Sequence, residues 1–134
     1  MNFSWDENLA TGNTVIDGQH KQLIEALGRL STAREKEDYV NELFRSVEFL
    51  NAYVIKHFSD EEKLQVESNY PEYLRHWNYH NEFKILAAQL AQRLVDEGPD
   101  DELVDEVIDI IGNWLINHIK GDDFHFAAHL RTLK

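Results

Sequence analysis

Two histidines one helical turn apart, His76 and His80, interrupt an otherwise apolar stripe. Tyr73, His76, His80, Phe83, Ala87, Leu90 and Leu94 alternate steps of three and four residues, the spacing of one buried helix face. The imidazoles thus occupy positions where a bundle core takes Leu or Ile, and buried polar nitrogens require partners. Any fold for this chain has to supply them.

The same anomaly recurs in every helical segment. Asp17 is read as the N-cap of a first helix running to about Ala33, with the stripe Ile16, His20, Leu23, Leu27 and Leu30. Gly28 costs that helix roughly 1 kcal/mol of propensity, which close approach of a neighbour would justify. Asp38 is read as the cap of a second, longest helix. Its stripe of Val40, Leu43, Val47, Leu50, Val54, His57, Glu61 and Leu64 is unbroken and turns polar at His57 and Glu61. After Ser68-Asn69-Tyr70, Pro71 fits the first position of a third helix, which should end before Gly98-Pro99.

Asp100 is read as the cap of a fourth helix, with Asp101 and Glu102 at the positive end of its dipole. Its stripe is Val104, Val107, Ile111, Trp114 and His118, and Gly121 reads as an end or a kink. Asp123 lies five residues after His118. It can rejoin that face only through a π-type turn or a loosened helix end.

Four amphipathic helices joined by short loops imply antiparallel neighbours, that is, an all-α, up-down-up-down four-helix bundle. Residues 1–16 carry Phe3, Trp5, Leu9, Val15 and Ile16 without a sustained period and read as an extended N-terminal arm packed across it. Residues 17–120 form the bundle and 121–134 a short C-terminal helical tail, all in one domain. In such a bundle the starts of odd helices and the ends of even helices share one end. His20, His57, Glu61, His76, His80, His118 and Asp123 therefore converge on one layer.

A single histidine on an apolar face is ordinarily a hydrogen-bonded core residue. Five of them with a buried carboxylate would leave many groups unsatisfied, each costing about 1–3 kcal/mol. A metal site removes the difficulty. The chain has no cysteine, which excludes thiolate and iron–sulfur sites, and imidazole with carboxylate suits iron, zinc or manganese. Seven candidate ligands exceed the four of a structural zinc site, so two ions are the natural count, with two carboxylates available to bridge them. Carboxylate-rich di-iron bundles use Glu-x-x-His pairs; this sequence contains none.

Composition narrows the class further. A chain that is 43% hydrophobic and 28% charged is globular, and a net charge of −12 argues against nucleic acid and acidic membrane surfaces. The most apolar run, Val107 to Ile119, is interrupted by Asp109, Gly112, Asn113, Asn117 and His118, too polar to span a bilayer. No basic segment precedes an apolar core at the N-terminus, so no signal peptide is expected. The expectation is a cytoplasmic monomer without membrane insertion.

In order along the chain stand Asp17-x-x-His20, His57-Phe58-x-x-Glu61, His76-x-x-x-His80 and His118-Ile119-x-x-x-Asp123. In these motifs, and over nearly its full length including the arm at Trp5, the chain resembles the single-domain bacterial hemerythrins, relatives of the invertebrate oxygen carriers. The resemblance implies a non-haem di-iron centre with an oxo or hydroxo bridge. It implies one iron held by His76, His80 and His118, the other by His20 and His57, with Glu61 and Asp123 bridging. The second iron then has one protein ligand fewer, which leaves a position for dioxygen. No residue is assigned a catalytic role. Any oxygen-consuming protein partner is left unnamed.

Phe58, Trp114, Leu115, Ile116 and Leu23 or Leu27 lie within a turn of these residues and would keep water from bound oxygen. His125 and His129, with Asp122, read as the solvated face of the tail helix. The function expected is reversible dioxygen binding, for transport, storage, supply or sensing. The alternatives are a di-iron enzyme acting on dioxygen, peroxide or nitric oxide, and an iron- or metal-handling protein.

Overall fold

The computed structural model describes residues 5–133; Phe3 of the arm and Lys134 of the tail lie outside them. The first element among the described residues is a 3₁₀ turn, Glu7–Leu9, capped by the Asp6 side chain accepting from the Asn8 amide at 2.7 Å. Three long helices follow: α1 (Thr14–Glu35), α2 (Val40–Glu67) and α3 (Tyr73–Glu97). The fourth rod comprises α4 (Asp101–Glu106), a π turn at Val107–Ile111, α5 (Gly112–His118), a second π turn at Ile119–Asp123, and α6 (Phe124–Arg131). No strand occurs among the described residues. The molecule is the all-α four-helix bundle that the stripes require.

Several boundaries differ from the sequence expectation. The cap of α1 is Asn13, whose side chain accepts from the Ile16 amide at 3.0 Å, so the helix starts three residues before Asp17. Asp17 instead accepts from the Thr11 amide and hydroxyl, both at 2.8 Å, and from the Gly12 amide at 3.2 Å. It ties the arm to the first turn of α1. Asp38 does not cap α2. That place is taken by Tyr39, without a side-chain bond to the helix end, and the Tyr39 hydroxyl donates to Asp101 at 2.6 Å. Pro71 lies in the turn before α3 rather than at its first position.

Other signals hold. Asp100 caps α4 by accepting from the Leu103 amide at 2.7 Å. The third helix stops at Gly98, whose φ of +80° is a conformation that only glycine adopts without strain. Gly121 neither ends nor breaks the last rod, because helical backbone continues through it to Arg131. The tail is thus continuous with the fourth helix.

Leu23, Ile24, Leu27, Leu30, Leu43, Leu50, Leu103, Val104 and Val107 are buried in a single core. Each such side chain contributes about 1.5–3 kcal/mol relative to exposure. A smaller cluster of Ile16, Tyr70 and Phe126 closes the end where α1 and α3 begin. Arg131 donates to the Thr11 carbonyl at 2.8 Å and so pins the arm to the end of the last rod. Among the described residues no helix is long and apolar enough to cross a membrane.

Candidate metal centre

All seven predicted side chains meet at that end of the bundle. His20, on the second turn of α1, His57 and Glu61 near the end of α2, His76 and His80 at the start of α3, His118 closing α5, and Asp123 closing the second π turn are each buried. The π turn is what admits Asp123. Five residues of regular helix would rotate it about 140° away from His118, and the wider turn restores it to the same face.

The carboxylates divide the imidazoles into two groups. Glu61 Oε1 lies 2.9 Å from His76 Nε2 and 3.4 Å from His80 Nε2, while Glu61 Oε2 lies 3.7 Å from His57 Nε2. Asp123 repeats the division: Oδ1 is 3.0 Å from His76 Nε2 and 3.1 Å from His118 Nε2, and Oδ2 is 2.7 Å from His20 Nε2. One set is Glu61, His76, His80, His118 and Asp123; the other is His20, His57, Glu61 and Asp123. Both carboxylates belong to both sets, with one oxygen turned to each.

These atoms are close without being paired. His20 Nε2, His57 Nε2 and all four carboxylate oxygens of Glu61 and Asp123 are buried and lack a hydrogen bond. Within the three-histidine set, His118 Nε2 is 3.1 Å from both His76 Nε2 and His80 Nε2. Two nitrogens bonded at about 2.1 Å to one ion stand roughly 3.0–3.4 Å apart for angles between square and tetrahedral. The nitrogens are spaced as ligands of a common ion, and cations would satisfy the orphaned Nε2 atoms of His20 and His57 and the four carboxylate oxygens. The donor set fits two metal ions sharing two carboxylates.

Partners behind the imidazoles fix which nitrogen faces inward. His57 Nδ1 donates to Gln19 Oε1 at 2.6 Å, and Gln19 Nε2 donates to Asp60 at 3.0 Å. His80 Nδ1 donates to Glu62 Oε2 at 2.7 Å. His76 Nδ1 meets the Gln65 amide at 2.5 Å, and the amide orientation that places Oε1 on this N–H also satisfies an otherwise orphaned oxygen. Asp122 Oδ2 stands 3.5 Å from His118 Nδ1, and neither His118 Nδ1 nor His20 Nδ1 has a hydrogen-bond partner. Sequence reasoning missed Gln19, Glu62 and Gln65. Gln65 carried a signal, being one turn beyond Glu61 on the same stripe.

The electrostatics of the metal-free centre follow from this crowding. Burial pushes the His57 imidazole down to about 4. Burial also opposes charge on His76 and His118, but Asp123 and Glu61 overcome it and raise His76 to about 9, and Asp123 with Asp122 raises His118 to about 10. Burial disfavours both carboxylate charges, yet the facing imidazoles hold Glu61 below the usual range and Asp123 well below it. Without metal, protons on His76 and His118 supply the positive charge that two anionic carboxylates demand.

Aromatic rings wall the centre. Phe58 stacks on His80 with centroids 3.8 Å apart and planes 2° from parallel, and Trp114 stacks on His118 at 4.5 Å and 17°. Leu23, Leu27 and Leu115 are buried in the adjoining core, and Ile116 is half-buried against it. Asp122 does not share a solvated face with His125 and His129 but sits half-buried beside His118. His125 is exposed, whereas His129 donates to the Ser68 carbonyl at 2.9 Å and lies against Tyr70.

Comparison with known proteins agrees with this architecture. The family model described as "Hemerythrin HHE cation binding domain" matches residues 11–130. A bacteriohemerythrin of Stenotrophomonas maltophilia is 32% identical over 130 residues, covering 96% of this chain and 81% of that protein. A hemerythrin-like protein of Naegleria gruberi is 31% identical over 96% of this chain and 93% of its own length, and a hemerythrin of Themiste dyscrita 31% identical over 96% and 94%. A bundle with paired donor sets, matched from arm to tail by one family, belongs to the hemerythrins.

Proposed function

We propose that this chain binds dioxygen reversibly at a centre of two iron ions and performs no net reaction on it. The observation that carries the reading is the sharing of Glu61 and Asp123 between a set with three imidazoles and a set with two. His76, His80 and His118 would hold one iron, His20 and His57 the other, with the two carboxylates spanning both. Held there, two irons would supply the reversible two-electron redox chemistry that dioxygen binding requires. The set with one imidazole fewer would leave its ion a coordination position for the diatomic ligand.

The chain's own residues account for restraint rather than turnover. Every donor is fixed on a helix, and Gln19, Glu62 and Gln65 hold three imidazoles with Nε2 facing inward. Phe58 stacks on His80 and also lies against His57 with centroids 5.7 Å apart, so its apolar ring borders both donor sets, which would keep water and protons from the bound ligand. A net charge of −12 supports a chain that stays apart from its own copies.

The test is the absorption spectrum of the reduced, iron-loaded protein before air, after air and after argon. A visible band that appears with air and disappears under argon is expected. A band that decays at once to an oxidised spectrum, with dioxygen consumed, would assign an oxidase instead. Protein that takes up no iron would overturn the reading.

A further inference from the structure

The two donor sets differ behind the imidazoles as well as in number. On the three-histidine side, Glu62 accepts from His80 Nδ1 at 2.7 Å and Asp122 stands 3.5 Å from His118 Nδ1, with the Gln65 amide behind His76. On the two-histidine side, His57 is backed by the neutral Gln19 amide, with the Asp60 carboxylate one bond further out. Neither His118 Nδ1 nor His20 Nδ1 makes a hydrogen bond, but His118 Nδ1 has the Asp122 carboxylate at 3.5 Å, whereas the carboxylate beside His20 is Asp123 at its inward Nε2. A carboxylate behind an imidazole holds the ring in its ligating tautomer and raises its basicity toward a cation, and an unbacked ring has to be oriented by the cation itself.

We propose that metal fills the three-histidine position first and the two-histidine position second, and that Glu62 and Asp122 set this order. The inference rests on the two-metal reading above. The first ion meets three imidazoles and two carboxylate oxygens, with His80 hydrogen-bonded to Glu62 from behind and the Asp122 carboxylate 3.5 Å from His118 Nδ1. The second ion meets two imidazoles and the outer oxygens of Glu61 and Asp123. Those oxygens are already partly neutralised by the first ion, and His20 still has to be ordered. At limiting metal the chain therefore carries one ion on α3 and the fourth rod before α1 is engaged. A cavity of about 210 Å³ lined by Tyr79, Trp114, Asn117, His118 and Asp122 lies against the outer side of His118, where Asp122 stands.

The experiment titrates the metal-free protein with Co2+, followed by heat and by visible absorption, with helical circular dichroism recorded for every variant. Two steps of one equivalent each, separated at least tenfold in affinity, are expected. His57→Ala should abolish the second step and leave the first within a few-fold. Glu62→Gln and Asp122→Asn should each weaken the first step, by about 10–100-fold for an outer partner of this kind, and so narrow the separation. Gln19→Glu, which puts a carboxylate behind His57, should strengthen the second step and keeps the proposal testable if Glu62→Gln fails to fold. Two equivalents taken up in a single unresolved step overturn the order while leaving the two-metal reading intact. A first step weakened by His57→Ala but untouched by Glu62→Gln does the same. Uptake of one equivalent at most overturns both.

Discussion

His118 Nε2 stands 3.1 Å from Asp123 Oδ1 although five residues separate them, because the backbone between them is a π turn. The other oxygen of Asp123 reaches across the bundle to His20 Nε2 at 2.7 Å. One side chain thereby joins the last rod to the first helix. The adjacent Asp122 points elsewhere, its carboxylate lying on the Nδ1 side of His118. Asp123→Asn should leave no more than one tightly held metal ion per chain after desalting, whereas Asp122→Asn should retain two when metal is supplied in excess. Elemental analysis measures both. Two ions retained by Asp123→Asn would show that Asp123 does not bridge.

Metal loading should release protons. His76 and His118 are raised to about 9 and about 10 by their carboxylate neighbours, so both are protonated at pH 7.5 in the metal-free chain. A metal ion requires the neutral imidazole. Saturation should therefore expel about two protons per chain, countable with an indicator dye in weak buffer. Uptake of two ions without proton release would mean that the metal-free centre is neutralised in another way.

Stability of the metal-free chain should peak near pH 6.5. His57 is depressed to about 4 from its ordinary 6.5, so its contribution is present above 6.5 and is lost as pH falls toward 4. His76 and His118 are raised, so theirs is present below 6.5 and is lost as pH rises through about 9 and about 10. Glu61 and Asp123 are lowered and contribute above the ordinary carboxylate range, failing only in stronger acid. Two groups act on the alkaline limb and one on the acid limb, so urea midpoints should fall more steeply above pH 6.5 than just below it. Bound metal, replacing the protons of His76 and His118, should flatten the alkaline limb.

How much of this was legible in the sequence depended on whether a residue acts along its own helix or across to another. The stripes through His57, Glu61, His76 and His80 follow a helical period, and the structure buries all four. Asp123 was legible through the His-x-x-x-x-Asp motif of the family the chain resembles; helical period alone turns a five-residue step off the stripe, and the π turn restores it. The π turn at Val107–Ile111 was not, since no misplaced polar residue betrays it. Asn13 and Asp17 are equally good caps by composition. The choice falls to Asn13 because the Thr11 and Gly12 amides of the arm need Asp17 as their acceptor. Glu62 lies off the α2 stripe and acquires its role from a ring on α3, a relation no single-helix pattern contains.

The face-to-face stack of Phe58 on His80 gives the last prediction. Phe58 is 1% exposed and also meets Phe83 and Trp114, with centroids 5.8 and 5.7 Å away. Phe58→Ala should cost about 3–5 kcal/mol of unfolding free energy for a buried aromatic ring, while Phe58→Leu retains most of the volume and should cost less. If the ring also keeps water from the centre, the visible band formed with air should decay several-fold faster in Phe58→Ala than in Phe58→Leu. The comparison is made at a temperature where both variants remain folded. Equal decay in the two variants, with only the stability lowered, would reduce Phe58 to a core residue and remove the water barrier from the account of reversible binding.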